Sequence, residues 1–264
     1  MSEEVKSKRY DTIEWTNRMK YEQEYDVASV SPASSAGRSE YFRRLTGIRL
    51  ALIRKYGYCK TVLDVCCGTG DHILESRYLI ETGVGVDFSR RMIRAANSKK
   101  SSMKATNIDF AVCNARKIPF REETFDLAYS FSSLYYIPCP EEVVFEVARV
   151  LKPNSIAVLE FGNLYSLNTI VCKAYPELAI PCHSRISEVT RVIKDAALEI
   201  LECRRFQILP MWGSRPNWLK PLLHPVWKSI LKKEIGQRML DELLCSAPIL
   251  KSCCFRQMFI CKRT

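Results

Sequence analysis

The sequence predicts an α/β domain built on a parallel sheet with helices on both of its faces. Three observations carry this. Short apolar runs alternate with segments of helical spacing over 58–161, a Gly-Thr-Gly turn follows the first run directly, and a last apolar run returns at 255–261. Strands buried on both faces read as near-continuous apolar runs, and a helix between two of them supplies the crossover that parallel pairing requires.

The elements follow in order. Residues 1–38 are polar with scattered aromatics, and SPASSAG at 31–37 reads as loop. Helical spacing begins near Ser39, with Phe42, Leu45, Ile48 and Leu52 on one face, and Gly57 is its stop. Residues 62–65 form the first strand, ahead of the Gly-rich turn and a helix over 71–78. Residues 83–88 form the second, and Ser89 caps a helix that carries Met92, Ile93 and Ala96. Strands at 108–112 and 125–131 follow, then a helix at 141–151 and a fifth strand at 156–161. Further on, 187–197 reads as helix and 199–208 as extended. Residues 211–248 hold Trp212, Trp218 and Trp227 among prolines, leucines and lysines. The expected division is an N-terminal extension with a lid helix (1–57), a ligand-binding core (58–210), a helical cap insertion (211–250) and a final strand that rejoins the core sheet (251–264).

Composition narrows the function classes. The 264 residues, 47% apolar and 26% charged, fit a soluble globular chain with a sizeable core. A net charge of +11 points to an anionic partner. Lysines and arginines are interspersed with acids, and no zinc-finger, RNA-binding or homeodomain pattern accompanies them, so nucleic acid is not the expected partner. An anionic substrate or an anionic membrane surface accounts for the charge. The twelve cysteines include no Cys-x-x-Cys pair, and His72, His183 and His224 lie far apart, so no metal site is expected. Cys113 and Cys203 sit within apolar runs as free, buried cysteines do, which fits a reduced, cytoplasmic protein. The N-terminus MSEEVKSKRY lacks the apolar core of a signal peptide, and no apolar run is long enough to span a membrane.

The chemistry concentrates in VLDVCCGTGD, residues 62–71. Glycines after a buried strand let the backbone turn sharply and approach a ligand closely. In an open parallel sheet, ligands bind at the carboxyl ends of the strands. The second strand ends in Asp87, where an acid can accept hydrogen bonds from ribose hydroxyls, so the turn is expected to hold an adenosine-containing ligand. A nicotinamide dinucleotide site shares these features. Its fingerprint needs a third glycine, where this chain has Ile73, and Asp71 adds a negative charge at the place of the diphosphate.

With these residues in hand, the chain resembles the class I S-adenosylmethionine-dependent methyltransferases, over about residues 35–262. It is most similar to the group related to quinone-biosynthesis C-methyltransferases and to methyltransferases of surface-glycan biosynthesis. VLDVCCGTGD matches the first motif with Cys66 in place of a glycine, and GVDFSRRMIRAAN (85–97) matches the second. AVCNARKIPFREETFDLAYS (111–130) matches the third and fourth, with Asn114 at the usual acid. VARVLKPNSIAVLEF (147–161) has Asn154-Ser155 at two usual glycines, and HSRISEVTRVIKDAALEIL (183–201) has Ala197-Leu198 at a usual Gly-Phe. The resemblance implies a Rossmann-like seven-stranded, mostly parallel sheet with an antiparallel last strand, plus the helical cap.

It also implies roles for single residues. S-adenosyl-L-methionine is the cofactor; Asp64 meets its amino group or orders the turn, and Cys66, Gly68 and Gly70 present backbone to it. Asp87 binds the ribose, Phe88 packs on the adenine, and Met92 either backs them or packs in the core. Asn114 and Ala115 meet the adenine edge, and Ser130 lies beside the methionine portion. Arg38, in a loop-and-helix like one that closes over the cofactor in some relatives, either pairs with its carboxylate or is solvated. For a general base the candidates are Tyr135, Glu160 and His183, each with a structural alternative as pocket wall, strand-end hydrogen bond or loop histidine; Tyr136 falls where relatives often carry histidine. The acceptor is expected to be a small molecule, a sugar or a lipid-linked molecule. Residues 211–235 either touch a membrane surface peripherally, at its cytoplasmic face, or pack on the sheet or in a dimer contact. A catalytically silent binding subunit and an RNA or protein methyltransferase are the competing classes. The Asn/Asp-Pro-Pro-aromatic motif of amino-methylating enzymes is absent where Ser130-Phe131-Ser132-Ser133 stands.

Overall fold

The structure, a computed structural model, describes residues 3–24, 39–175 and 177–264. Its strands are β1 (Thr61–Val65), β2 (Thr82–Asp87), β3 (Ile108–Val112), β4 (Phe125–Ser130), β5 (Leu151–Gly162), β6 (Leu198–Phe206) and β7 (Arg256–Arg263). They form one seven-stranded sheet in the order β3-β2-β1-β4-β5-β7-β6. β7 inserts between β5 and β6 and runs antiparallel to both, while the neighbours from β3 to β5 pair in parallel. The strand order reverses between β1 and β4, which opens a crevice at their carboxyl ends.

Side chains alternate along each strand between two apolar layers. On one face, Val62, Leu127, Tyr129, Met258 and Ile260 pack with Tyr41, Leu45, Leu52 and Ile53 of α2 (Glu40–Gly57) and with Ile73 and Leu74 of α3 (Asp71–Glu75). On the other, Leu63, Val65, Ala128, Leu159 and Phe259 pack with Val143, Val144 and Val147 of α5 (Pro140–Val150) and with Val189 and Ile193 of α7 (Ile186–Asp195). Between β2 and β3 lies α4 (Arg90–Ser102), whose N-cap Ser89 accepts the Met92 N–H at 3.2 Å. Pro140 opens α5, where its missing N–H costs nothing.

Two boundaries differ from the sequence expectation for local reasons. α3 ends at Glu75 rather than running to 78, where the Ser76 and Arg77 N–H groups tighten onto the Ile73 and Leu74 carbonyls three residues back. β5 starts at Leu151, and a register shift absorbs Asn154, whose φ of 64° is left-handed. A short helix that the sequence pattern did not suggest, α6 (Leu167–Lys173), is capped by Ser166 Oγ accepting the Thr169 N–H.

The segment 211–250 holds α8 (Lys220–Leu223), α9 (Val226–Leu231), a two-residue hairpin and α10 (Leu240–Ser246). It docks on α2. Met211, Leu231 and Met239 are buried in the α2 layer, Lys232 pairs with Glu40, and Arg44 pairs with Glu234. Tyr41 donates its hydroxyl to Asp241 at 2.5 Å.

Candidate active site

The crevice is built by the turn after β1. Cys66, Gly68 and Gly70 have φ of 60°, 55° and 73°. Gly70 admits no side chain, because a Cβ there would stand 2.4 Å from Phe110 Cζ. At Gly68 a Cβ would meet nothing within 4 Å, so that side of the backbone is open. The Cys67 N–H donates to the Val86 carbonyl at 2.9 Å and fastens the turn to β2.

Asp87, buried at the end of β2, accepts the Gly68 N–H on Oδ2 and the Ser89 N–H on Oδ1, both at 2.9 Å. Burial raises its pKa to about 6 against those two bonds, and the Glu22 carboxylate adds to the rise. Each oxygen keeps a lone pair for a further donor. Across the crevice, Asp64 is buried beside its cross-strand neighbour Tyr129, whose hydroxyl stabilises the charged carboxyl and works against the effect of burial. Burial pushes the Asp64 pKa well above the usual carboxylate range, and the Asp87 and Asp71 charges add to this.

Asp64 and Asp87 open onto a cavity of about 380 Å³. Asp64, Cys66, Gly68, Asp87, Phe88 and Met92 line one end, and Phe42, Arg49, His72, Phe131, Tyr135, Tyr136 and Arg256 line the other. Its cover is α1 (Glu3–Met19), which runs on as a π-helical turn, Lys20–Glu24. Asn17 donates to the Tyr136 and Ile180 carbonyls at 2.8 and 3.0 Å and accepts the Ile180 N–H at 2.6 Å. Tyr21 packs edge-on to Phe88 and Tyr136. Glu22 accepts the Arg90 and Arg91 N–H groups that begin α4. None of the described residues of 211–250 lines the cavity, so the expected cap over the acceptor is replaced by α1 and α2; Met211, Leu231 and Met239 of that segment are buried in the α2 layer instead.

At the far end, Glu160 is fully buried between two guanidiniums. Arg49 donates to Oε2 through Nη2 at 2.6 Å and Nε at 3.1 Å, and Arg256 donates to Oε1. Both arginines also donate to Ser132 Oγ, at 2.6 and 2.8 Å, and Arg256 reaches Tyr135 Oη at 3.2 Å. Ser132 itself has a φ of 58°, a strained backbone for a residue with a side chain. Burial alone would raise the Glu160 pKa, but Arg49 and Arg256 outweigh it and hold it below the ordinary value.

The other expected site residues fall as follows. Tyr135 lines the cavity, whereas His183 lies behind it in a second cavity of about 570 Å³, its Nδ1 2.6 Å from Thr169 Oγ1 and its ring against Phe255. Burial, with Lys173 and Arg256 adding, lowers the His183 pKa to about 4. Asn114 is exposed beyond the end of β3, where it donates to Glu14 at 3.3 Å, and buried Ala115 follows it; neither lines the cavity. Ser130 is fully buried, and Gly70 shapes the turn without lining the cavity. Arg38 lies outside the described residues. Asp71 faces Lys99 at 2.7 Å, so its charge does not stand in the crevice, and the case against a diphosphate rests on Ile73, fully buried in the α2 layer.

Arg49, Arg256 and His72 are among the cavity residues that escaped the sequence reading. Arg49 carried a signal, since it lies four after Leu45 and three before Leu52 on the apolar face of α2. His72 Nε2 is buried without a partner, and burial with the Arg49 charge lowers its pKa to about 3, which keeps the ring neutral.

Comparisons with known proteins agree with this fold. Residues 59–226 match the methyltransferase domain family. The chain is 35% identical to a demethylmenaquinone methyltransferase of Oceanobacillus iheyensis over 102 residues, 38% of this chain and 43% of that one. It is 28% identical to the O-methyltransferase cnsE of Penicillium expansum over 184 residues, 68% of this chain and 64% of that one. The match thus spans under half of the first relative and just under two thirds of the second. The geranyl diphosphate C-methyltransferase of Streptomyces coelicolor A3(2) shares the fold, with a TM-score of 0.64 at 14% identity over 96% of this chain and 98% of that one. The chain belongs to the methyltransferase domain family, among the class I S-adenosylmethionine-dependent methyltransferases.

Proposed function

We propose that the protein moves the methyl group of S-adenosylmethionine to a small-molecule acceptor held in the cavity. The observation that carries this is the pairing of the Gly68–Asp87 cradle with a second buried carboxyl, Asp64, on a single cavity. The residues fit the cofactor. Asp87 has lone pairs left for ribose hydroxyls, the open side of Gly68 admits a ligand against the backbone, and Asp64 offers an acceptor to an ammonium group, which would restore its charge.

When bound, the cofactor supplies a methyl group already activated by a sulfonium. What remains for the chain is to align the acceptor and exclude water. α1 covers the crevice through Asn17 and Tyr21, while Phe131, Tyr135 and Tyr136 wall the acceptor end. Of the three candidate proton acceptors, Tyr135 reaches the cavity and is the one we assign to contact the acceptor. Glu160 positions the two arginines, since both its oxygens are engaged, and His183 supports Tyr135 from behind.

No described helix is long and apolar enough to cross a membrane. Exposed Trp218, Val226 and Ile235 beside Lys220 and Lys233 support a peripheral contact with an anionic membrane. Liposome flotation at low salt checks it: vesicles with anionic lipid should carry the protein, and its absence from them contradicts the contact.

Transfer of labelled methyl from S-adenosylmethionine to a panel of quinols, phenols and organic acids tests the main reading. Transfer that Asp87→Asn abolishes is expected. A chain that binds the cofactor yet labels no acceptor in the panel favours a cofactor-gated binding subunit.

A further inference from the structure

The acceptor end of the cavity holds one buried charge too many. Arg49 and Arg256 share a single carboxylate, Glu160, and their side chains are only 5% and 10% exposed. Glu242 provides the contrast: it also meets two arginines, Arg204 and Arg238, but these are 19% and 43% exposed and Arg204 has a second carboxylate, Glu202, at 4.0 Å, so Glu202 and water take up the surplus. At Glu160 there is no second carboxylate among the described residues and little access for bulk water, and a buried unpaired charge is costly unless a counter-ion meets it. The nearest other acids do not serve. Asp241 is occupied by Tyr41 Oη and by the Gln207 and Ile208 N–H groups, and burial pushes both Asp241 and Asp64 towards their neutral forms.

The free donors point to what the counter-ion is. Arg49 uses Nε and Nη2 and Arg256 uses Nε and Nη1, which leaves Nη1 of Arg49 and Nη2 of Arg256 without a partner among the described residues. Both residues line the cavity, Arg49 over the ring of Phe131 and Arg256 over that of Tyr135. A guanidinium's planar donors match two oxygens of a carboxylate or phosphate. Building on the methyltransferase reading, we propose that the acceptor is a small molecule with an apolar body and one carboxylate or phosphate, and that this anion docks on Arg49 and Arg256 while the body lies against Phe131 and Tyr136.

Calorimetry on the full chain saturated with S-adenosylhomocysteine tests this, with phenyl phosphate and benzoate as the probes. One of the two is expected to bind, the tighter one naming the anion. Arg256→Gln should weaken it tenfold or more while affinity for S-adenosylhomocysteine changes less than twofold. Arg256→Lys, which keeps the charge and the stem, should fall between the two and serves if the glutamine variant fails to fold. Two results overturn the proposal. Neither probe binds, or the Arg256 variants lose S-adenosylhomocysteine affinity and keep that for 5′-methylthioadenosine, in which case the arginines hold the cofactor's own carboxylate. A wild-type chain that binds no S-adenosylhomocysteine contradicts the methyltransferase reading itself, and this proposal with it.

Discussion

Asp87 accepts the Gly68 N–H at 2.9 Å, and this bond ties the end of β2 to the turn after β1. The carboxylate therefore shapes the cradle and also offers lone pairs to a ligand. Asp87→Asn keeps the shape but turns one acceptor into a donor that faces an N–H group. Affinity for S-adenosylhomocysteine should fall tenfold or more, about 1.5–3 kcal/mol, as read by calorimetry.

The same group sets a pH dependence. Ribose hydroxyls donate to the ionised carboxylate, whose pKa burial raises to about 6. Cofactor affinity should be full above that pH and decline as the pH falls through about 6; in Asp87→Asn the decline should be absent. The effect on stability has the opposite sign. The folded-state pKa lies above the ordinary 3.8, so the folded chain holds the proton more tightly. Stability from this group is present below about 4 and is lost as the pH rises to about 6.

Gly70 and Gly68 should respond differently to alanine. At Gly70 the new Cβ would strike Phe110 on a left-handed backbone, a combination that costs roughly 2–4 kcal/mol in urea denaturation. At Gly68 only the backbone is strained, about 1–2 kcal/mol, but the Cβ stands in the open space beside the cradle. Gly68→Ala should therefore bind S-adenosylhomocysteine weakly while remaining folded.

Glu160→Gln removes the only charge partner that Arg49 and Arg256 have among the described residues. Two buried guanidiniums are then uncompensated, and the loss of stability should be about 3–5 kcal/mol by denaturation. A loss under about 1 kcal/mol would show that water reaches this end of the cavity.

Asn17 holds α1 down through three hydrogen bonds, two of them to Ile180. Asn17→Ala should leave the global melting temperature nearly unchanged and speed cofactor release several-fold in stopped flow. Hydrogen exchange along α1 should slow when S-adenosylhomocysteine binds.

The sheet and the turn were legible because their signals are local. The strand β1, the Gly-Thr-Gly turn and Asp87 lie within one stretch of chain, and their chemistry depends on backbone conformation. The departures from the family's glycines are informative here. Cys66, Asn154 and Ala197 keep φ of 60°, 64° and 54°, so the backbone those glycines would adopt persists under a side chain. The acceptor end was not legible, because Arg49 and Arg256 meet through Glu160 and Ser132, each residue from a different part of the chain. Nor does a run of tryptophans, leucines and lysines announce which face docks. The burial of Leu231 and Met239 against α2 decided where 211–250 went, and α1, polar in sequence, covers the cavity through Asn17 and Tyr21.

The central claim is that the cradle between Asp64 and Asp87 holds S-adenosylmethionine. Calorimetric titration of the wild-type chain with S-adenosylhomocysteine, in parallel with NAD, tests it most directly. One site per chain for S-adenosylhomocysteine, and none for NAD, is the predicted result. Binding of NAD at that site, or no heat from S-adenosylhomocysteine at millimolar concentration with the chain folded, would contradict it.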